Sequence, residues 1–107
     1  MKERFEQILR EYGQEIALRR REETAVRLCR GFLQEITGRD GAPPVATPLG
    51  AVSVKRWLLL SREETAPGDR VRHEERTMVV LESRGVFVAD ELIYWRAILG
   101  PEREAAV

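Results

Sequence analysis

The sequence predicts a mainly β domain: a small β-barrel or sandwich of about six strands with a short N-terminal helix. Three observations carry that expectation. Apolar residues recur with period two in short runs between residues 15 and 100, with turn residues between the runs. Helical spacing is confined to the first dozen or so positions. The length, 107 residues, with 43% hydrophobic and 34% charged side chains, fits a single domain around one core. Closing such a sheet on itself removes exposed strand edges, which makes a small mixed barrel or sandwich the economical arrangement.

The helix is expected over 2–12, where Phe5, Ile8, Leu9 and Tyr12 fall at i, i+3, i+4 and i+7. Gly13 marks its stop. The barrel core is expected over 15–100. Its first strand carries Ile16 and Leu18. A charged connection, "RREET", leads to a second strand with Val26, Leu28, Phe32 and Ile36 on one face. The run "LRRREE" reads as the tip of that hairpin, a place to contact a neighbouring acidic subunit or a phosphate. Its residues Arg19, Arg20, Arg21, Glu22 and Glu23 are therefore candidate inter-subunit contacts.

Residues 37–50 read as one loop of about fourteen residues. Pro43, Pro44 and Pro48 cannot donate to a ladder. Gly38, Gly41 and Gly50 permit unusual backbone angles. Loops this long in a compact domain are usually functional or disordered. A strand follows over 51–60, with Val52, Val54, Leu58 and Leu60 on one face. "SREETAPGD" is a turn region in which Ser61 and Glu64 form a capping-box pattern for one helical turn. Val71 begins another strand, "HEER" is a tight turn, and "TMVVLES" is a strand broken by Arg84-Gly85 before "VFV" resumes. The final strand places Ile93, Trp95, Ala97 and Leu99 on one face and Tyr94, Arg96 and Ile98 on the other, an apolar content that suits a central or interface strand. The tail 101–107 opens with a breaker.

Composition narrows the function. Formal net charge is zero, which argues against a general nucleic-acid binder. Lys2 and Lys55 are the only lysines; the other cations are arginine, as a GC-rich genome encodes freely. The single cysteine, Cys29, forms neither an internal disulfide nor a zinc site by itself and reads as a buried filler. "MKERFEQILR" lacks the apolar region of a signal peptide, and no apolar run approaches a membrane span, so a cytoplasmic chain without membrane contact is expected. Catalytic chemistry is scarce. His73 beside Glu74 and Glu75 is the one acid–base candidate, set in an expected turn where solvated charges are the norm. No nucleophile elbow, phosphate-binding glycine loop or HExxH is present, and no cofactor or metal is expected. Trp57 and Trp95 are expected in the core or at a partner surface.

The segments "FLQEI" (32–36), "TPLG" (47–50), "RWLLLS" (56–61), "PGDRVRHEERTMVVLES" (67–83) and "YWRAIL" (94–99) occur in an order that resembles the head–tail connector proteins of long-tailed bacteriophages and prophages, the head-closure or stopper type. The resemblance covers residues 25–103 or so. Departures from the family pattern are Glu35 where proline is usual, Glu75 and Arg76 in place of a glycine-containing turn, and Met78 near an expected aromatic.

The resemblance implies a small β-barrel without enzymatic activity. It implies assembly as a ring with copies of itself, contacts with portal or adaptor and with tail proteins, and non-specific contact with packaged DNA in the channel. The expected setting is the host cytoplasm during assembly and then the head–tail junction of the virion. In the family, the loop before the "TPLG"-like segment projects toward the channel and helps close it. Carried over, that candidate gating loop contains Arg39, Asp40, Gly41, Pro43, Pro44, Thr47 and Pro48. Arginine on one face and glutamate on another would suit a head-to-tail interface that closes by rotation. The alternatives are a phage tail-terminator or tail-completion protein, a cytoplasmic barrel that binds peptide or nucleic acid, and an enzyme built on His73.

Overall fold

A computed structural model describes residues 1–36, 45–47, 50–52 and 55–102, with backbone alone at 45–47 and 50–52. The elements are α1 (Lys2–Tyr12), β1 (Gln14–Arg19), β2 (Val26–Ile36), β3 (Val45–Thr47), β4 (Gly50–Val52), β5 (Arg56–Ser61), β6 (Arg70–His73), β7 (Arg76–Val88) and β8 (Glu91–Pro101). Six strands close a barrel in the order β1-β2-β5-β8-β7-β6, every pair antiparallel, with β6 returning to β1. The barrel and N-terminal helix match the sequence expectation. The short strands β3 and β4 form a separate two-stranded sheet, with Val45 opposite Val52 and Thr47 opposite Gly50.

The core is the inside of the closed sheet. Ile16 and Leu18 of β1, Trp57 and Leu59 of β5, Val71 of β6, Met78 and Val80 of β7, and Ala97 and Leu99 of β8 fill it. Cys29 and Leu33 of β2 pack against this cluster. Gly31 lies between them on the same face, and a Cβ there would meet Leu59 Cδ1 at 2.7 Å. A side chain at 31 would have to displace the buried Leu59 side chain and crowd Leu60 O at 3.2 Å.

Strand faces depart from the sequence reading in two places. Val26 and Leu28 stand outside and exposed, while Cys29 and Leu33 face the core. In β5 the buried residues are Trp57, Leu59 and Ser61, and Leu58 and Leu60 point the other way. A second apolar layer accounts for part of this outer face, beneath α1, but does not reach Val26 and Leu28. α1 lies on the outside of the sheet, and Phe5 meets Phe32 edge-on at 6.0 Å and stacks on Tyr94 at 5.0 Å. Period-two alternation cannot distinguish a core face from a face covered by a helix. Of the helix's own apolar stripe, Leu9 is buried and Phe5 half-buried, whereas Ile8 and Tyr12 remain exposed. Gly13 ends the helix in extended backbone, its N–H donating to Leu9 O at 2.8 Å; a Cβ there would sit 2.4 Å from that oxygen.

Four further expectations are corrected. Residues 37–50 are not one loop, since 45–47 pairs with 50–52. The 51–60 strand is divided, β4 ending at Val52 and β5 beginning at Arg56. The capping-box pattern yields no helix: Ser61 Oγ donates to Glu63 O at 3.1 Å, within an irregular connection. Conversely, Arg84-Gly85 does not break β7, which continues through Gly85 opposite Trp95.

Antiparallel order gives the barrel two ends. At one lie the start of β1, the ends of β2, β6 and β8, and the starts of β5 and β7. At the other lie the β1–β2 connection, the 62–69 connection and the β7–β8 hairpin. Asp69 organises the second end. Buried at 2% exposure, it accepts from the backbone N–H groups of Ala66 (2.9 Å) and Arg21 (3.0 Å) and from Arg20 Nη1 (3.2 Å). Gly68 precedes it at φ +98°, and its N–H donates to Val80 O at 2.9 Å. A side chain at 68 would also strike Arg21 Cδ at 2.6 Å. The "PGD" segment is thus the clasp that joins the β1–β2 turn to the rest of the barrel.

The β7–β8 hairpin is long and twice irregular. Leu81 is an extra residue in β7 between the Val80–Leu99 and Glu82–Ile98 pairs. Ile93 is an extra residue in β8 between the Val86–Tyr94 and Phe87–Leu92 pairs. Such bulges bend and twist a strand. Arg62 Nη1 holds the second one, donating to Leu92 O at 2.9 Å and Ile93 O at 2.8 Å, while its Nε meets Glu6 of α1 at 3.2 Å. At the tip, Ala89 and Asp90 both have positive φ, 49° and 69°. That suits asparagine or glycine far better than alanine. Ala89→Asn is expected to stabilise the fold by about 1 kcal/mol, read as a higher midpoint in urea denaturation.

Candidate assembly surfaces

The first-named end of the barrel carries a groove lined by Gln14, Leu33, Glu35, Trp57, His73 and Arg76, among others. His73 lies here, yet both its ring nitrogens are occupied. Nδ1 is 3.2 Å from Glu15 O; a carbonyl only accepts, so Nδ1 carries the proton. Nε2 then accepts from Gln14 Nε2 at 3.4 Å. Gln14 Oε1 in turn accepts from Leu33 N–H at 2.8 Å, a donor beyond the last β1–β2 register pair. The histidine belongs to a network that prolongs the sheet beyond the start of β1. Glu74 Oε1 stands 3.8 Å from Nε2. "HEER" is a tight turn as expected, with His73 opposite Arg76 and Glu74 at φ +57° in place of glycine. Among the described residues, no group of three or more His, Cys, Asp or Glu side chains could hold a metal. Trp57 closes this end from within, and the Arg76 guanidinium lies over its ring, 5.3 Å from the centroid.

The candidate gating loop falls largely outside the described residues: Arg39, Asp40, Gly41, Pro43, Pro44 and Pro48 all do so. Thr47 ends β3. The connection that contains them leaves the barrel at Ile36 and returns at Arg56, and these two residues are direct register partners.

The five candidate inter-subunit residues divide. Arg20 is used internally, through Asp69 and the Glu64 carbonyl. The backbone N–H of Arg21 is likewise committed to Asp69, while its side chain is exposed. Glu22 and Glu23 are exposed in the turn, with Glu23 N–H donating to Arg20 O at 3.1 Å. Arg19 ends β1 on the outer face and is exposed. There it meets residues that the sequence reading missed. Arg70 stands directly opposite Arg19, and Arg72 opposite Ala17. Val26 and Leu28 continue the same two rows onto β2. The alternation of Arg70 and Arg72 about Val71 was visible in the sequence, but their position beside Arg19 depends on register across some fifty residues. Phe87 and Val88, exposed near the tip of the β7–β8 hairpin, were also missed; they had been assigned only to a resumed strand.

Cys29 is a half-buried filler. Burial, and secondarily the Glu63 carboxylate, push its thiol up to about 11. At pH 8 its thiolate fraction is then about 100-fold below that of an ordinary thiol. Labelling by a disulfide reagent is expected to be slower than in the urea-unfolded chain by at least that factor. Because the folded state favours the protonated thiol, the associated stability is intact below pH 9 and is lost as pH rises toward 11.

No protein-family model matches the chain, and no curated protein matches it. No helix among the described residues is long and apolar enough to cross a membrane.

Proposed function

We propose that this chain is a non-enzymatic structural subunit of a phage head–tail connector ring, which joins portal or adaptor to tail and helps to retain packaged DNA. One observation carries the reading beyond the sequence resemblance: the barrel closes without two of its own segments. The described residues of the connection from Ile36 to Arg56 contribute no strand to it, and the tip of the β7–β8 hairpin presents Phe87 and Val88 to solvent. Chain that a fold does not need, placed at opposite ends of a rigid barrel, is what an assembling subunit requires. Within that connection lie residues 37–50, which the family resemblance implies face the channel, and prolines there limit the entropy lost when copies order against one another.

Peptide mass spectrometry on purified particles tests the proposal, with DNA-filled heads and tails separated before digestion. Peptides of this chain should travel with filled heads, far below the level of capsid protein. Recovery with tails alone would replace the proposal with a tail-terminator role. Absence from both would leave a cytoplasmic peptide- or nucleic-acid-binding barrel. Deletion of residues 40–46 should leave the barrel folded and let packaged DNA leak; full DNA retention would remove the gating role.

A further inference from the structure

Two surfaces of the barrel complement each other. The first is the outer face of β6, β1 and β2. Ile16, Leu18 and Val71 point into the core, so the residues that alternate with them point out. Register arranges them in two rows: Arg70, Arg19 and Val26, then Arg72, Ala17 and Leu28. Val26 is 60% exposed and Leu28 67%. Arg19 and Arg70 are like charges placed directly opposite, an arrangement that costs stability unless something anionic covers it. Glu102 lies 3.5 Å from Arg70 Nε. For Arg19 and Arg72 no carboxylate partner is found among the described residues; Arg72 Nε donates to a backbone oxygen, Glu74 O. Among the described residues, the face therefore unites two guanidinium groups that lack a carboxylate partner with two exposed aliphatic side chains.

The second surface is the β7–β8 tip. Phe87 and Val88 are exposed, and Asp90 and Glu91 follow them, exposed and without an ion-pair partner among the described residues. The Arg62-held bulge and the two left-handed turn residues fix the tip's direction. In the closed order, β8 lies three strands from β1 in either direction. The tip and the arginine face thus sit on opposite sides of one copy, where they meet most directly between copies.

We propose that the tip of one copy, residues 87–91, docks on the Arg19–Arg72 face of the next. Phe87 and Val88 cover Val26 and Leu28, while Asp90 and Glu91 neutralise Arg19 and Arg72. The contact is heterologous, so repetition generates a ring where the rotation closes. Its place in a virion rests on the connector reading above, but the contact itself belongs to the purified chain. A nucleic-acid duplex is the poorer occupant, since a phosphate backbone gains nothing from Val26 and Leu28.

Cysteine cross-linking of the full chain in a Cys29→Ser background, at high protein concentration, tests this. Leu28→Cys and Phe87→Cys, mixed as single variants, should give a disulfide-linked dimer that grows no further. Both substitutions in one chain should give a ladder. Asp90→Lys with Glu91→Lys in the Phe87→Cys chain should cut the mixed yield about tenfold, and Arg19→Glu with Arg72→Glu in the Leu28→Cys chain should restore it. A Tyr12→Cys chain, with its thiol on the exposed helix face, sets the random level, and urea midpoints verify that each variant is folded. Cross-linking at the Tyr12 level, or indifference to charge reversal, overturns the proposal. Loss of duplex-DNA binding in the Arg19→Glu, Arg72→Glu chain without specific cross-linking overturns it in favour of nucleic acid. Specific cross-linking by a chain absent from particles would preserve the contact and remove the connector role; presence in filled heads without cross-linking would do the reverse.

Discussion

Trp57→Ala is expected to cost about 3–5 kcal/mol of folding stability, as removal of a buried aromatic side chain usually does. Trp57 is 5% exposed and belongs to the same core cluster as Met78 and Leu99. It stands opposite Leu99 in the register, at the barrel end where β5 begins. Alanine would leave a cavity open toward the groove, and water entering there would separate Met78 from its neighbours. The Arg76 guanidinium over the indole would also lose its partner, a smaller loss because Arg76 is exposed. Trp57→Phe should retain most of the packing, and Arg76→Ala should change little. Urea denaturation followed by far-ultraviolet circular dichroism reads all three. A stability for Trp57→Ala within about 1 kcal/mol of the parent, against the expected loss of about 3–5 kcal/mol, would mean that this end is not closed by the tryptophan.

The second large effect is at Asp69. Asp69→Ala is expected to cost about 3 kcal/mol, because it strands two backbone donors and a guanidinium around a buried position. The carboxylate is 4% exposed, and Arg20 reaches it from a 31% exposed position. The charge pair is therefore the lesser part of the loss, and the N–H groups of Ala66 and Arg21 the greater. Arg20→Ala should accordingly cost about 1 kcal/mol. Asp69→Asn, which retains one acceptor oxygen, should fall between. Amide hydrogen exchange provides the local readout. In Asp69→Ala the Ala66 and Arg21 amides should lose protection before the β5 and β8 amides do. Equal destabilisation by Arg20→Ala would show instead that the ion pair is the dominant part of the clasp.

The sequence was most legible where local chemistry decides the outcome. The helix over 2–12, its stop at Gly13 and the "HEER" turn follow from spacing and turn residues within a few positions. A small barrel or sandwich of about six strands followed from strand number and patterning, and the structure selects the closed barrel. Strand faces were less legible, because Phe32, Leu60 and Tyr94 are apolar on the outside for α1 to cover, while Val26 and Leu28 are apolar on the outside with no described element over them. The roles of Arg62 and Asp69 were not legible at all: Arg62 acts on carbonyls at 92 and 93, and Asp69 on an amide at 21. "LRRREE" was correctly identified as a hairpin tip, but register divides it, committing Arg20 inward and leaving Arg19 outward.

One feature of the barrel reaches beyond its own stability. Ile36 and Arg56 are direct partners across β2 and β5, so the chain departs and re-enters through a single rung of the ladder. A segment anchored that way is tethered at neighbouring points, and doubling its length adds only about 0.6 kcal/mol of closure entropy. The barrel is accordingly indifferent to the wording of what is spliced between those residues. It should serve as a socket: an insertion between those residues is expected to leave the six strands that hold it unchanged.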